Sequence, residues 1–226
     1  MSVPYWFGSI VMKLSRFASL ALLFALLVAS TVPAFAAEQK FALDPYHTQV
    51  RFSWNHSGFS NPGATIHVGK GMLVWNDKDP SQSSVSVTMP VASIDTLVPA
   101  LNGIFQEKFF EAEKYPTVTF KSTRVQQVGV SDHYVVEGQL TVHGVTRPVT
   151  LDATLNKVGE APMLKAPAIG FDATTIIKRS AFGLGQYVPL VSDQVRIRIT
   201  VEGVAPEALA KEVEAVKKEG AEVDKK

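Results

Sequence analysis

Few side chains in this 226-residue sequence have the types and spacing needed for catalysis or metal binding. Cysteine is absent, which excludes disulfides, thiolate metal sites and a cysteine nucleophile. The sequence has no GxSxG elbow, no phosphate-binding Walker loop and no GxGxxG motif. The five histidines lack the HExxH spacing of a zinc-binding helix; they are His47, His56, His67, His133 and His143. We therefore predict no catalytic residue, no metal site and no cofactor.

Charge excludes one class of partner. Lys and Arg total 22 and Asp and Glu total 21, so the formal net charge is +1. A nucleic-acid partner bound through a basic surface is therefore not expected. A near-neutral surface favours a partner recognised by shape and by apolar contact.

The N-terminal segment has the three parts of a secretory signal. A basic region precedes an apolar run at residues 17–29, and the small-residue tripeptide AFA follows at residues 34–36. We predict cleavage after Ala36, with Met12 as the true start. An uncleaved membrane anchor would need about 20 apolar residues and is the less favoured alternative. Residues 1–36 are accordingly expected to be a signal peptide.

The elements that would position a site are mainly strands. Alternation of apolar and polar residues recurs through residues 37–204, which is typical of strands with one buried face. No helices separate most of these runs, so antiparallel pairing in a sandwich or closed barrel is expected. A barrel of this size encloses packed side chains or one small ligand. The eight expected strands lie near residues 50–54, 64–75, 85–91, 118–120, 134–142, 149–155, 169–175 and 195–201.

Two segments have helical rather than strand spacing. The first, from Pro99 to Glu113, is expected to be a helix inserted between strands and ended by Tyr115-Pro116. The second begins at Pro206, and its apolar stripe is followed by Gly220. Residues 205–226 are thus expected to form a charged C-terminal helix and tail, outside the barrel domain.

Aromatic side chains are concentrated on the predicted inward faces. Either they fill the barrel, or they line an apolar cavity that the inserted helix caps at one end. From the residues alone the filled barrel is the favoured interpretation. Five of these side chains lie on strands and two on the helix: Phe52, Trp54, Trp75, Phe120 and Phe171, then Phe105 and Phe109.

Four stretches, in this order, carry a family resemblance across nearly the whole expected mature chain. They are LDPYHTQVRFSWNHSGFS, VASIDT with FFEAEKYPTVTFKS, GQLTVHGVTRPVTL, and IGFDATTIIKRSAFGLG with SDQVRIRI. Together they resemble the YceI-like family of exported polyisoprenoid-binding proteins. The sequence departs from the family pattern at two places. Ala181 stands where the family usually has Asp, and the helix lacks the Arg and His often found before Phe109-Phe110.

The resemblance implies a lipocalin-like antiparallel β-barrel in the periplasm, with a lumen that holds a polyprenyl chain or a quinone tail for transport. It implies polar contacts to the ligand at the mouth from His56 and Arg179. For Arg179, a structural pair with Asp193 is an equal alternative. The aromatic residues implied to line the lipid chain are Phe52, Trp54, Phe59, Trp75, Phe105, Phe109, Phe120 and Phe171.

Two other functions remain open at this stage. One is an enzyme that acts on a lipid or quinone in the same cavity. The other is a filled barrel that binds another protein through the C-terminal helix. For the lipid-binding function, the expected partners are an isoprenoid lipid or quinone and, transiently, a membrane. A homodimer is left open, and no nucleic-acid partner is expected.

Overall fold

The computed structural model describes residues 1–2 and 38–223, so most of the expected signal peptide and its cleavage site lie outside the described residues. In the described part, no helix combines the length and apolar character needed to cross a membrane. The strands are β1 Gln39–Leu43, β2 Gln49–His56, β3 Gly63–His67, β4 Lys70–Trp75, β5 Ser84–Pro90, β6 Thr117–Gln127, β7 His133–Val142, β8 Val145–Ala161, β9 Ala166–Lys178 and β10 Val191–Val204. The helices are α1 Pro99–Gly103, which continues as a π-helical segment over Ile104–Phe109, and α2 Pro206–Val223.

The strands form one closed antiparallel barrel. Their order is β1-β4-β5-β6-β7-β8-β9-β10, and β10 pairs back with β1 to complete the ring. β2 pairs with the N-terminal part of β10 and β1 with its C-terminal end, so β1 and β2 act as one interrupted strand. β3 pairs with β2 and β4 pairs with β1, so β3 and β4 likewise act as one interrupted strand. The ten strands therefore occupy eight positions around the barrel. The predicted eight-stranded antiparallel barrel is therefore confirmed.

The alternation in β7 shows why these segments fold as strands with an apolar interior. Tyr134, Val136, Leu140 and Val142 are buried and face the same side of the sheet, and the residues between them are more exposed. Successive side chains of a strand point to opposite faces, so a period of two places one set in the lumen. The same pattern in the neighbouring strands builds the inner wall.

The inserted helix begins at Pro99 as predicted but ends earlier than Glu113. The Phe110 N–H donates to the Phe105 carbonyl at 2.9 Å, a bond that spans five residues and defines a π-helical turn. Glu111 then takes a left-handed conformation with φ +47°, which stops the helix. The chain reaches Tyr115 through a turn instead of a further helical segment.

The C-terminal helix packs on the closed end of the barrel. Leu209 is buried with Val204 and Ala166 in a small apolar cluster outside the lumen. The helix runs through Gly220 to Val223, beyond the end that the sequence predicts before Gly220. A glycine inside a helix costs only about 0.5–1 kcal/mol relative to alanine, which neighbouring good helix formers offset.

Candidate ligand-binding cavity

The barrel is not filled. It encloses a cavity of about 830 Å³ whose wall is formed by the inward side chains of the strands, with α1 and the loop before β10 at one end. This volume lies within the range of about 300–1,000 Å³ typical of small-molecule sites. The lining is predominantly aliphatic and aromatic, as the period-two pattern predicts.

The closed end of the cavity is formed by three aromatic rings, which we call the floor cluster: Trp75, Tyr134 and Phe171. Their centroids are 5.5 Å (Trp75–Tyr134), 5.6 Å (Trp75–Phe171) and 6.1 Å (Tyr134–Phe171) apart, and all three pairs meet edge to face. Trp75 and Tyr134 are each only 4% exposed. Burial raises the pKa of the Tyr134 hydroxyl, which therefore stays neutral.

The open end carries a second set of rings, the mouth cluster: Phe52, Trp54, Phe105, Phe109 and Tyr187. Trp54 lies 5.3 Å from Phe105, and Phe105 lies 5.3 Å from Phe109, between ring centroids. Phe109 reaches Tyr187 at 6.3 Å, so the contacts join β2, the π-helical segment and the loop before β10. Trp75 and Tyr134 of the floor cluster are buried, whereas Phe171 and four of the mouth rings are partly buried and Tyr187 is 65% exposed.

The structure brings nearly all the sequence-predicted ligand-binding residues to the cavity. Phe59 is the exception: its side chain is 89% exposed and lies outside the lumen. Ser57 and Gly58 both have positive φ, and the resulting turn takes Phe59 out of the alternation of β2. The residues that do line the cavity are Phe52, Trp54, His56, Trp75, Phe105, Phe109, Phe120, Phe171 and Arg179.

Arg179 is held by backbone carbonyls. Its Nε donates to Ser192 O at 2.9 Å, a second guanidinium nitrogen donates to Val191 O at 3.0 Å, and the third donates to Leu184 O. Asp193, considered above as its partner, instead accepts hydrogen bonds from the amide and hydroxyl of Ser180. Burial lowers the pKa of Arg179, an effect partly opposed by the charge of Asp193. Arg179 thus fastens the loop at the mouth, with part of its side chain on the cavity wall.

Sequence reasoning missed four aromatic lining residues: Phe110, Tyr134, Phe182 and Tyr187. Tyr134 carried a usable signal, because it occupies an inward position in the alternation of β7. Phe110, Phe182 and Tyr187 carried none. Phe182 lies in the 3-10 turn that follows β9. Phe110 follows a π-helical turn, and Tyr187 has φ +64° in a loop without regular structure.

A histidine anchors the helix side of the mouth. His143 Nε2 lies 3.0 Å from Glu111 Oε1, and its ring meets the Tyr115 ring edge to face at 4.6 Å. A side chain at Gly144 would lie 2.9 Å from Tyr115 Cδ1, so glycine allows this close packing. The contacts join the β7–β8 hairpin to the segment that follows the π-helical turn.

Asp44, His47 and Glu202 offer ligand atoms within 4.8 Å of one another and form the one group in the described chain with that spacing. Asp44 is buried and already accepts hydrogen bonds from the Tyr46 amide and from His47 Nδ1. Its carboxylate raises the pKa of His47, with smaller contributions from Glu202 and Glu212. These contacts give Asp44, His47 and Glu202 a structural role at the closed end of the barrel, and we call this group the clasp.

Comparison with known proteins identifies relatives for this architecture. A family model described as the YceI-like domain matches residues 41–203. Protein YceI of Escherichia coli O157:H7 is 35% identical over 191 residues, which cover 82% of this chain and 96% of that protein. A UPF0312 protein of Pectobacterium atrosepticum is 35% identical over 184 residues, which cover 79% of this chain and 92% of that protein.

Solved structures agree in fold. Burkholderia cenocepacia BcnA superposes with a TM-score of 0.63 at 25% identity, over 71% of this chain and 98% of that chain. A polyisoprenoid binding domain from Saccharophagus degradans superposes with a TM-score of 0.56 at 14% identity, over 75% of this chain and 100% of that chain. At that identity the superposition supports the fold alone. The motifs that suggested the family, the barrel they build and the match over residues 41–203 all agree: this chain belongs to the YceI-like domain family.

Proposed function

We propose that this protein binds an isoprenoid lipid, either a polyprenyl chain or the tail of a quinone, in the barrel lumen and carries or sequesters it in the periplasm. The observation that carries the proposal is the apolar cavity of about 830 Å³ that runs from the floor cluster to the mouth cluster. A long cavity with aliphatic and aromatic walls suits a flexible hydrocarbon chain better than a polar metabolite. The four sequence stretches that resemble the YceI-like family of polyisoprenoid-binding proteins support the same ligand class.

Physical chemistry favours reversible exchange. Moving a prenyl chain from water into an apolar lumen gains roughly 0.8 kcal/mol for each buried CH₂ group. Such a lipid, however, resides in a bilayer, which is also apolar, so the net preference for the lumen is small. The protein is therefore suited to picking up a lipid and releasing it again, which is what a carrier requires.

The surface around the mouth supports transient contact with a membrane. Leu101, Tyr187 and Leu190 line the cavity and are at the same time exposed, Leu190 at 72%. Phe59, on the turn after β2, adds another exposed ring close to the lining residue Ser60. Exposed apolar groups that rim an apolar opening lower the cost of passing a lipid between bilayer and lumen. The export signal expected in residues 1–36 supports the periplasmic location.

The direct test is mass spectrometry of an organic extract from protein purified out of the periplasm. We expect an isoprenoid in near-stoichiometric amount. A matched pair of variants makes the test specific. Ala153→Phe fills the lumen from a buried lining position, and Thr154→Phe adds the same ring on the exposed outer face of β8.

With both variants folded by circular dichroism, Ala153→Phe should lose most of the lipid and Thr154→Phe should keep it. Extracts of the unaltered protein without isoprenoid, or equal retention by both variants, would refute the proposal.

A further inference from the structure

Basic side chains are concentrated on one outer face of the barrel. Arg51 on β2 lies directly opposite Arg198 on β10 in the strand register, and Arg196 follows on the same side of β10. All three residues are exposed, and none forms an ion pair with a carboxylate in the described part of the chain. Lys178, exposed on the neighbouring strand β9, pairs with Gln194, two residues before Arg196. We call Arg51, Lys178, Arg196 and Arg198 the basic face.

The pairing of Arg51 with Arg198 is unfavourable in the free protein. Like charges directly opposite each other on neighbouring strands destabilise a sheet. The Arg51 guanidinium donates hydrogen bonds to the neutral Gln49. The acidic residues in the same row of the sheet, Asp95 and Asp152, each lie two positions away, about 10 Å, where they offset the repulsion little. An anionic partner would remove this repulsion.

The charge of this outer face changes sign along the strands. Toward the closed end the exposed side of β9 carries Asp172, and the same side of β10 carries Glu202. At the mouth end, Asp193 interacts with both Arg179 and Lys178 and so offsets one of those two charges. The near-neutral total charge therefore conceals a face that is basic toward the mouth and acidic toward the closed end.

The basic face continues into exposed apolar residues at the mouth. Phe59 and Leu190 stand at the mouth ends of β2 and β10, the strands that carry the three arginines, and both are exposed. The Leu190 carbonyl accepts hydrogen bonds from the amide and the hydroxyl of Ser57, so the two turns are joined. The acidic residues Glu107 and Glu111 lie on the helix side of the mouth. One side of the mouth thus combines apolar side chains with a basic surface.

We propose that the basic face, together with Phe59 and Leu190, is a docking site for an anionic lipid bilayer. The barrel tilts so that the outer side of β2, β9 and β10 meets the headgroups and the two apolar side chains enter the bilayer surface. A bilayer accounts for both parts of this surface, because it presents phosphates beside an apolar interior, whereas an acidic protein accounts for the basic face alone. This inference rests on the proposed function, because it names the membrane with which the lumen exchanges its lipid.

Co-flotation with vesicles tests the docking site. Vesicles of phosphatidylcholine are compared with vesicles of phosphatidylcholine and phosphatidylglycerol in equal parts. We expect much tighter binding to the anionic vesicles, and weaker binding as the salt concentration rises, because salt screens exposed charges.

A pair of double variants locates the site. Arg196→Gln/Arg198→Gln should weaken binding to the anionic vesicles roughly 10–30-fold, because each basic residue near an anionic bilayer strengthens binding about five-fold. The matched control is Lys121→Gln/Arg124→Gln, which removes the same charge from exposed positions of β6, on the opposite wall of the barrel. The control should bind the anionic vesicles as the unaltered protein does.

Thermal unfolding separates docking from a structural role. Because Arg51 and Arg198 repel each other, Arg198→Gln should leave the Tm of the free protein unchanged or raise it, while it weakens vesicle binding. Vesicle binding that is lost only together with a lower Tm would overturn the assignment.

The docking site and the lumen can fail separately. Lipid-free protein and the lumen-filling variant Ala153→Phe should both bind anionic vesicles as the unaltered protein does. Equal binding to the two kinds of vesicle, or equal losses in the two double variants, would overturn the docking site and leave the lumen function standing. Binding of polyglutamate without a preference for anionic vesicles would assign the face to an acidic protein and also overturn it. An organic extract without isoprenoid would refute the proposed function, a result independent of the vesicle measurements.

Discussion

The two ends of the cavity are built from aromatic side chains on different kinds of backbone. The floor cluster stands on three regular strands, β4, β7 and β9, inside a closed sheet. The mouth cluster stands on the end of β2, a π-helical segment and a loop. Left-handed residues are frequent around the mouth, including Ser57, Glu111, His143 and Tyr187, with φ between +47° and +64°.

Because of this difference, we expect the floor to contribute mainly to the stability of the protein and the mouth to control lipid exchange. Side chains on hydrogen-bonded strands are fixed by their neighbours on both sides, so the floor contributes mainly to a rigid core. Partly buried side chains on irregular backbone have fewer contacts and open at lower cost, which suits an entry route for a lipid. Similar ring chemistry can therefore serve a structural role at one end and a gating role at the other.

The sharpest test of this division is the same substitution at both ends. Trp75→Ala removes a buried ring from the floor and should cost about 3–5 kcal/mol of unfolding free energy in lipid-free protein. Trp54→Ala removes a partly buried ring from the mouth and should cost roughly half as much. Urea unfolding with matched slopes measures both values. Equal losses would contradict the division.

A pair of glycines compares the barrel wall with the mouth helix. A methyl group at Gly138 on β7 would lie 2.6 Å from Phe120 Cε2 and 2.7 Å from Lys121 O, so Gly138→Ala forces the lining ring or the neighbouring strand to shift. Overpacking of this kind should cost about 1–3 kcal/mol.

The control is Gly103→Ala in α1, where no heavy atom lies within 4 Å of the added methyl group. This substitution should be neutral or stabilise the protein by up to about 1 kcal/mol through helix propensity. Thermal unfolding of the two variants should thus shift in opposite directions or differ clearly in size. A stability loss at Gly103 as large as that at Gly138 would show that the mouth helix is as tightly packed as the wall.

Substitutions at two histidines test whether the contacts of His143 control the opening of the mouth. His143→Ala removes the contacts to Glu111 and Tyr115, so the segment after α1 should open more often. We expect lipid-probe dissociation to become several-fold faster in stopped-flow measurements, with about 1 kcal/mol of stability lost. The control, His133→Ala, removes an exposed contact with the Asp152 carboxylate near the other end of the barrel and should change neither the dissociation rate nor the stability by much. Equal dissociation rates for both variants would argue against gating at this anchor.

The regular part of this architecture could be predicted from sequence, and the irregular part could not. Alternation in β4, β6 and β9 specifies both a strand and the face that meets the lumen, so the sequence predicts inward positions for Trp75, Phe120 and Phe171. Tyr134 lay on the same predicted face. The pattern depends only on local periodicity, which tertiary contacts reinforce.

The mouth depends on contacts between distant segments, and no local pattern encodes them. The π-helical turn that directs Phe110 to the lumen, the turn that expels Phe59 and the loop that presents Tyr187 all need left-handed or π-helical backbone. Nor does periodicity predict the hydrogen bonds of Arg179 to three carbonyls of that loop. Motif resemblance marked several of these residues, but their geometry required the structure.

The smallest expected effect concerns the clasp at the closed end. The hydrogen bond that His47 donates to Asp44, together with the negative charges of Glu202 and Glu212, raises the pKa of His47 above 6.5, so the folded protein binds the proton more tightly than the unfolded chain. The resulting stability is fully present below about pH 6.5 and is lost as the pH rises through the higher pKa of the folded state. Because the His47 side chain is 60% exposed, the effect should be less than about 1 kcal/mol.

Thermal unfolding at pH 6 and at pH 8 measures this contribution. His47→Gln should reduce the difference between the two pH values, and the matched control His67→Gln, at an exposed position on β3, should preserve it. Lipid-probe dissociation should respond little to either variant, because the clasp lies at the closed end and the lipid leaves through the mouth. A pH dependence unchanged by His47→Gln would assign it to other groups, and faster dissociation in that variant would break the separation between a structural floor and a gating mouth.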